Sequence, residues 1–276
     1  MLRFRTEITP DAITPRLEPE DHVLVLGSCF AENMGERLEG LGVSVEQNPL
    51  GIQYNPLSLA RTLGYLTGRV TFNPEALFEH QGLVRHWDVH SRLCGATRDE
   101  TATRIEGAIR AGREALLEAR WLYVTLGSAH AWTRAGDVVA NCHRWPQEEF
   151  TRTLLSVDAC VSALAESLSE ARALNPELNV LVTVSPVRYK RDGLVGRQRS
   201  KSTLILAAHQ LIKSLERVSY FPAYELVLDD LRDYRFFAHD LVHPSALAVD
   251  YVWERLKESA LSPRFKLDPR GGRARR

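Results

Sequence analysis

Two short segments carry residue types that can do chemistry. The first is Gly27-Ser28-Cys29-Phe30-Ala31-Glu32-Asn33, which follows the apolar run Val23-Leu24-Val25-Leu26. A serine at a tight strand-to-helix turn exposes its hydroxyl, and its backbone N–H lies at a helix N-terminus, where developing negative charge is stabilised. The same position also suits a plain helix cap. The second segment is Phe237-Ala238-His239-Asp240-Leu241-Val242-His243-Pro244-Ser245. Pro244 biases the residue before it away from helix, so Asp240 and His243 are expected together on a loop. A nucleophilic hydroxyl needs a base within reach and a carboxylate that orients the imidazole, and the chain order of the three is free. Ser28, His243 and Asp240 meet that requirement, with Asp240 three residues before His243.

Other chemistry competes with this reading. Cys29 beside Ser28 is a second nucleophile candidate, because a helix N-terminus lowers a thiol's pKa, although a small packing role suits it better. His239-Asp240-x-x-His243 has the i, i+4 histidine spacing of helical metal sites, which makes metal-dependent hydrolysis an alternative. Pro244 counts against it, since a helix through 239–243 conflicts with the proline, and no metal or other cofactor is expected. A third alternative is a non-catalytic carbohydrate or acyl-ligand binding protein, suggested by Trp87, Trp132, Trp145, Tyr54 and Tyr189. The cationic run Arg188, Lys190, Arg191, Arg197, Arg199 and Lys201 has only Asp192 in opposition. It could hold an acidic substrate, but a solvated loop is the simpler reading.

The elements that position these residues follow a repeating pattern of a short apolar run and then a helical period. Val23–Leu26 predicts a strand and Ala31–Leu41 a helix with Met34, Leu38 and Leu41 on one face. Val43-Ser44-Val45 predicts a second strand and Pro56–Leu66 a helix that begins on its proline. Residues 69–97 lack periodicity and read as an insertion, and 99–118 reads as an amphipathic helix. Leu122–Leu126 predicts a buried strand, and Val138-Val139-Ala140 one arm of a small hairpin. Leu154, Val157, Val161, Leu164 and Leu168 predict a long helix, and Val180–Val184 a further strand. Leu204–Leu215 predicts a helix, Tyr224–Leu228 a fifth strand and Ala246–Leu256 a last helix. Strands apolar on both faces that alternate with helices imply a three-layer α/β/α sandwich with a mostly parallel five-stranded sheet. Ligands in such sheets bind at the carboxyl ends of the strands, so the residues after Leu26, Leu126 and Val184 are expected on one rim.

Composition narrows the classes. The chain has 276 residues, 44% hydrophobic and 25% charged, as a soluble globular protein does. One domain over 1–262 is expected, with 263–276 as a basic, disordered tail around Arg270–Arg276. The 35 basic and 35 acidic side chains cancel, which gives no global field for nucleic acid or a membrane surface. Cys29, Cys94, Cys142 and Cys160 are too widely spaced for a disulfide framework or a structural zinc site. Charges interrupt residues 1–20 and leave no apolar signal segment, and no run reaches membrane-spanning length, so a cytoplasmic protein is expected.

The Gly27-Ser28 block and Asp240-x-x-His243 resemble the first and last signature blocks of the SGNH (GDSL-like) hydrolases, and Gly27-Ser28-Cys29-Phe30-Ala31 spells the motif of the GSCFA family. Asn48-Pro49-Leu50-Gly51-Ile52-Gln53-Tyr54-Asn55-Pro56, Thr125-Leu126-Gly127-Ser128 with Trp132, Asn141-Cys142-His143 and Ser200-Lys201-Ser202 are also similar to segments of that family. The resemblance implies a flavodoxin-like fold and hydrolysis of an O-acyl ester, on a small molecule or a glycan, through an acyl-enzyme. Acyl transfer to another hydroxyl is a mechanistic sibling. It makes Ser28 the nucleophile, His243 the base and Asp240 its orienter, with an oxyanion hole from the N–H groups of Ser28 and Gly51. Where SGNH enzymes show Gly-x-Asn-Asp this chain has Gly127-Ser128-Ala129-His130, so Asn141 or His130 is expected to supply the missing donor. Asn55, Trp132, His143 and Lys201 are the candidate substrate contacts.

Overall fold

The computed structural model describes residues 6–265. The basic run Arg270–Arg276, expected as a tail, lies outside the described residues. The elements in chain order are β1 (His22–Gly27), α1 (Cys29–Glu39), β2 (Ser44–Gln47), α2 (Pro56–Thr67), β3 (Phe78–His80), β4 (Leu83–Arg85), α3 (Arg98–Glu118) and β5 (Trp121–Leu126). They continue with β6 (His130–Arg134), β7 (Asp137–Val139), β8 (Thr151–Leu154), α4 (Val157–Leu174), β9 (Asn179–Val184) and α5 (Gly193–Ser214). Next come β10 (Val218–Phe221), α6 (Ala223–Glu225) with a π-helical turn Leu226–Leu231, and α7 (Ala246–Ala260).

The central sheet has the order β10-β9-β5-β1-β2, and every pair in it is parallel. Strand side chains alternate between faces. Val23, Val25, Tyr123 and Leu181 therefore pack on one side with Met34 and Leu38 of α1 and Val252 and Trp253 of α7. Leu24, Leu26, Leu122, Val124, Val180 and Val182 pack on the other, against Leu59 and Leu63 of α2, Leu116 of α3, Leu164 of α4, and Leu204, Ala207 and Leu211 of α5. The result is the expected three-layer α/β/α sandwich with five parallel strands. The chain order reverses at β1, whose neighbours β2 and β5 lead to opposite edges, so a crevice opens outside the carboxyl ends of β1 and β5. No helix among the described residues is long and apolar enough to cross a membrane.

Three elements differ from expectation, one of them the helix expected from Leu204, which already starts at Gly193. The fifth strand is Val218–Phe221, not Tyr224–Leu228, which is helical. Val218-Ser219-Tyr220-Phe221 alternates in the strand period and stops at Pro222, which has no N–H to donate to a ladder. The apolar run that follows buries Leu226 and Val227 against one side of the sheet and Tyr224 against the other, as a helical turn between layers can. The long helix starts at Val157 rather than Leu154, because the Ser156 side chain accepts the Ala159 N–H and caps it; Leu154 closes β8. The segment 69–97 holds the β3–β4 hairpin, and Leu77, Val84 and Val89 form a small core there with Leu50, Tyr65 and Ile105.

Outside the central sheet, β6 pairs antiparallel with β7 and β8. This three-stranded sheet stands at the rim just past β5, so it walls the crevice. The strand assignment has a measurable consequence. Phe221 is fully buried, and Phe221→Ala is expected to lower stability by about 3–5 kcal/mol. Leu228→Ala, at a half-buried helical position, should lose clearly less in equilibrium urea unfolding; equal losses would contradict this packing.

Candidate active site

The serine turn is set by a close approach. Gly27 ends β1 with φ +139°, and a Cβ at this position would lie 2.3 Å from the Thr125 carbonyl oxygen of β5. Only glycine fits. Its N–H donates to Asn48 Oδ1 at 2.8 Å, and the Asn48 N–H donates to Val25 O at 2.8 Å, which fastens the loop after β2 to β1. Ser28 then takes the N-cap position of α1 with φ −74° and ψ 172°, but its side chain accepts no helix N–H. Thr97, Ser156 and Ser245 in the same position each do. The turn does not expose the hydroxyl as expected: Ser28 is 0% exposed, and its Oγ has no hydrogen-bond partner among the described residues. Leaving such a hydroxyl unpaired costs about 1–3 kcal/mol, so capping does not account for it. The Cys29 thiol is pushed up, first by burial and then by Glu32, which removes thiolate character from the neighbouring sulfur.

Asp240 and His243 form a tight pair. His243 Nδ1 meets Asp240 Oδ2 at 2.6 Å, while Asp240 Oδ1 accepts the N–H groups of Val242 and His243 at 2.8 and 3.0 Å. These contacts, the His243 side chain first, hold the Asp240 carboxyl well below the usual carboxylate range. An ionised partner on Nδ1 keeps the ring proton there and leaves Nε2 to accept one. Leu241 adopts φ +57° and α7 starts only at Ala246, so 239–243 is a loop and the i, i+4 spacing of His239 and His243 is not made on a helix face. The Arg188 N–H, just past β9, donates to Val242 O at 2.8 Å and ties this loop to the carboxyl rim of the sheet. The pair is half-exposed, and no hydrogen bond joins His243 to Ser28 among the described residues.

The expected oxyanion donors differ in their freedom. The Ser28 N–H makes a long 3.3 Å bond to Thr125 O. The Gly51 N–H closes a turn onto Asn48 O at 2.6 Å and is committed there; with φ +89°, a Cβ on Gly51 would collide with His90 Cβ at 2.0 Å. The glycine serves the close packing of two loops. His130 places Nδ1 3.3 Å from Asp192 Oδ2, and burial pushes its pKa down. Nδ1 makes no hydrogen bond among the described residues, so no contact fixes which ring nitrogen carries the proton. Asn141 Oδ1 accepts the His143 N–H at 2.8 Å, which fixes the amide orientation, and its Nδ2 has no partner among the described residues. It is an uncommitted donor, as the His130 ring is.

A cleft of about 400 Å³ opens at the rim, lined by Tyr54, Asn55, His90, His130, Trp132, Asn141, Arg152, Tyr189 and Arg191 among others. Loop 51–55 runs between it and the serine turn: the Gln53 N–H donates to Gly27 O, and Tyr54 O accepts the N–H groups of Gly127 and Ser128. Of the four candidate substrate contacts, Asn55 and Trp132 line this cleft, and His143 and Lys201 do not. Asn55 spends both amide atoms on Ser58, Oδ1 capping α2 and Nδ2 bonding Ser58 Oγ. His143 is buried, with Nε2 at 2.8 Å from His86 O and Nδ1 at 3.2 Å from Ser91 Oγ. Lys201 is 1% exposed and donates Nζ to Gly127 O and Ser185 O, both at 2.6 Å, which joins the ends of β5 and β9; burial pushes it down to about 7.

The GSCFA family model matches residues 22–256. The chain belongs to the GSCFA family. No curated protein matches it. Among solved structures this GSCFA chain is similar to a Streptococcus pneumonia protein described as a platelet activating factor, at 11% identity and a TM-score of 0.45 over 87% of this chain and 83% of that one. It is also similar to a Clostridium thermocellum family 3 carbohydrate esterase, at 10% identity and a TM-score of 0.38 over 86% of this chain and 94% of that one. A carbohydrate esterase family 3 protein from Talaromyces cellulolyticus matches at 11% identity and a TM-score of 0.41, over the same shares of 86% and 94%.

Sequence reasoning did not place Arg152 in the cleft wall, and it read Asp192 only as a counter-charge to the cationic run. Arg152 pairs with Asp192, whose side chain is 3% exposed, and faces Trp132 across the β6–β8 ladder. The signal was the period-two run Thr151-Arg152-Thr153-Leu154 ahead of the Ser156 cap. The site is also rich in depressed histidines. Burial pushes His86, His90, His130 and His143 down, His143 to about 4. Each protonates more readily in the unfolded chain than in the folded one, so the stability they contribute is complete above about pH 6.5 and is lost as pH falls below it, for His143 down to about 4. His143 alone accounts for on the order of 3 kcal/mol across that window. Urea unfolding between about pH 7 and pH 5 should show falling stability, with a shallower slope in His143→Gln; a flat wild-type profile would count against it.

Proposed function

We propose that this chain is a serine ester hydrolase acting on an O-acyl ester of a small molecule or glycan. The observation that carries this reading is the Ser28 hydroxyl: it stands at a helix cap, makes no cap bond and has no other partner among the described residues. Family membership and the bonded Asp240–His243 pair on a loop fastened to the same rim support it.

In this mechanism Ser28 Oγ attacks the ester carbonyl carbon and its proton passes to His243 Nε2. The Ser28–His243 contact forms when substrate seats, since catalytic hydrogen bonds tighten in the complex. The carbonyl electron pair moves onto oxygen, where the Ser28 N–H and Asn141 Nδ2 stabilise it. Collapse re-forms the carbonyl, breaks the bond to the alcohol oxygen and returns the proton from His243 to that oxygen. Water, deprotonated by His243, then attacks the acyl-Ser28 carbonyl carbon; collapse breaks the bond to Ser28 Oγ, which takes the proton back from His243, and the carboxylic acid leaves. A sugar or other hydroxyl in place of water gives acyl transfer from the same intermediate. Asp240 stays ionised throughout and keeps the imidazole in the working tautomer.

Two measurements test this. A fluorophosphonate probe should modify Ser28, located by mass spectrometry, with labelling lost in Ser28→Ala and His243→Ala; short acyl-ester turnover that persists in Ser28→Ala would sink the proposal. Asn141→Ala should lower kcat by about 10²-fold with KM little changed, as for removal of one oxyanion donor. A rise in KM alone would assign Asn141 to ground-state binding instead.

A further inference from the structure

The cationic run that the sequence presents as a solvated loop is solvated only in part: Lys190, Arg191 and Arg199 are exposed, whereas Arg188 and Lys201 are buried. The Arg188 guanidinium is buried over the Tyr234 and Phe237 rings, and Lys201 is enclosed between strand ends. Arg191 turns into the rim cleft, where it approaches the Trp132 ring at 5.1 Å, and Arg152 approaches the same ring at 5.4 Å from β8.

The charges around this ring do not cancel. Arg152 and His130 both lie against Asp192, whereas Arg191 has no ion-pair partner among the described residues. None of the described residues lining the cleft is acidic. Two polar groups in its wall, Arg152 Nε and the Tyr189 hydroxyl, are buried with no hydrogen-bond partner among the described residues, and buried donors of this kind are normally satisfied. The cleft therefore presents one uncompensated guanidinium, an aromatic face and unpaired donors, a set that an oxyanion completes.

We propose that the cleft receives an anionic group, a carboxylate or phosphate, on the alcohol portion of the ester, with Arg191 as its charge partner and Trp132 as the adjoining platform. This rests on the serine hydrolase reading for the ester itself. The position suits it, because loop 51–55 carries the cleft wall on Tyr54 and touches the serine turn through Gln53.

The test uses three matched esters on the full chain: phenyl acetate, 4-acetoxybenzoate and 4-acetoxyphenyl phosphate. The wild type should turn over one or both charged esters with a kcat/KM at least about tenfold above the neutral one, as a charged hydrogen bond in the complex provides. Arg191→Gln should collapse that ratio about tenfold, and Arg191→Glu should invert it. Which charged ester is preferred distinguishes carboxylate from phosphate. A ratio near one in the wild type, or a raised ratio untouched by Arg191→Gln, overturns the anionic subsite while leaving the hydrolase reading intact. If no ester turns over and Ser28 does not label, the hydrolase reading fails. Calorimetric titration with glucuronate, glucose 6-phosphate and methyl glucoside then decides the subsite alone: binding of an anionic sugar over the neutral one that is lost in Arg191→Gln upholds it, and no such preference overturns it.

Discussion

The contact between Gly27 and the Thr125 carbonyl is the constraint on which the site depends. A side chain at position 27 would collide with β5, and the backbone there takes a conformation that favours glycine. Because the strands close up at this point, the chain leaves β1 at an angle that starts α1 one residue later, with Ser28 at its cap. The same N–H that Gly27 presents to Asn48 draws in the loop that becomes the cleft wall. One tight approach between neighbouring parallel strands thus sets both the serine and the surface beside it.

How much of this was legible in the sequence follows from how local each signal is. Ser28 was readable because a Gly-Ser pair after a buried strand is a property of consecutive residues, and Asp240 and His243 because Pro244 dictates a loop over the same short span. The five parallel strands were readable for the same reason, except where the local pattern was ambiguous: a short apolar stretch around Tyr224 fits a strand or a buried helical turn, and the alternation at Val218 decides it only once Pro222 is recognised as the stop. The side chains of Asn55 and His143 show the opposite limit. Residue type reports what a group can bond, not whether a neighbour such as Ser58 or His86 has already claimed it.

Charge was the least legible quantity. Formal balance over the whole chain, 35 against 35, hides a rim where cations outnumber their partners. Whether a lysine or arginine is solvated depends on the strand ends and rings brought around it by residues far along the chain, as with Lys201 between Gly127 and Ser185 and Arg188 over Tyr234 and Phe237. A buried ammonium held by two carbonyl oxygens gives up hydration for fixed dipoles, and its lowered pKa records that exchange.

The segment that follows β9 touches both halves of the site. Arg188 holds the loop of the Asp240–His243 pair through Val242, and three residues on Arg191 stands in the cleft. A short tether of this kind couples two properties that could otherwise diversify separately. An insertion or deletion between Ser185 and Asp192 would shift the Asp240–His243 loop and the cleft wall in one event, so lineages are expected to vary the cleft by substitution in the β6–β8 wall while the length of this connection stays fixed.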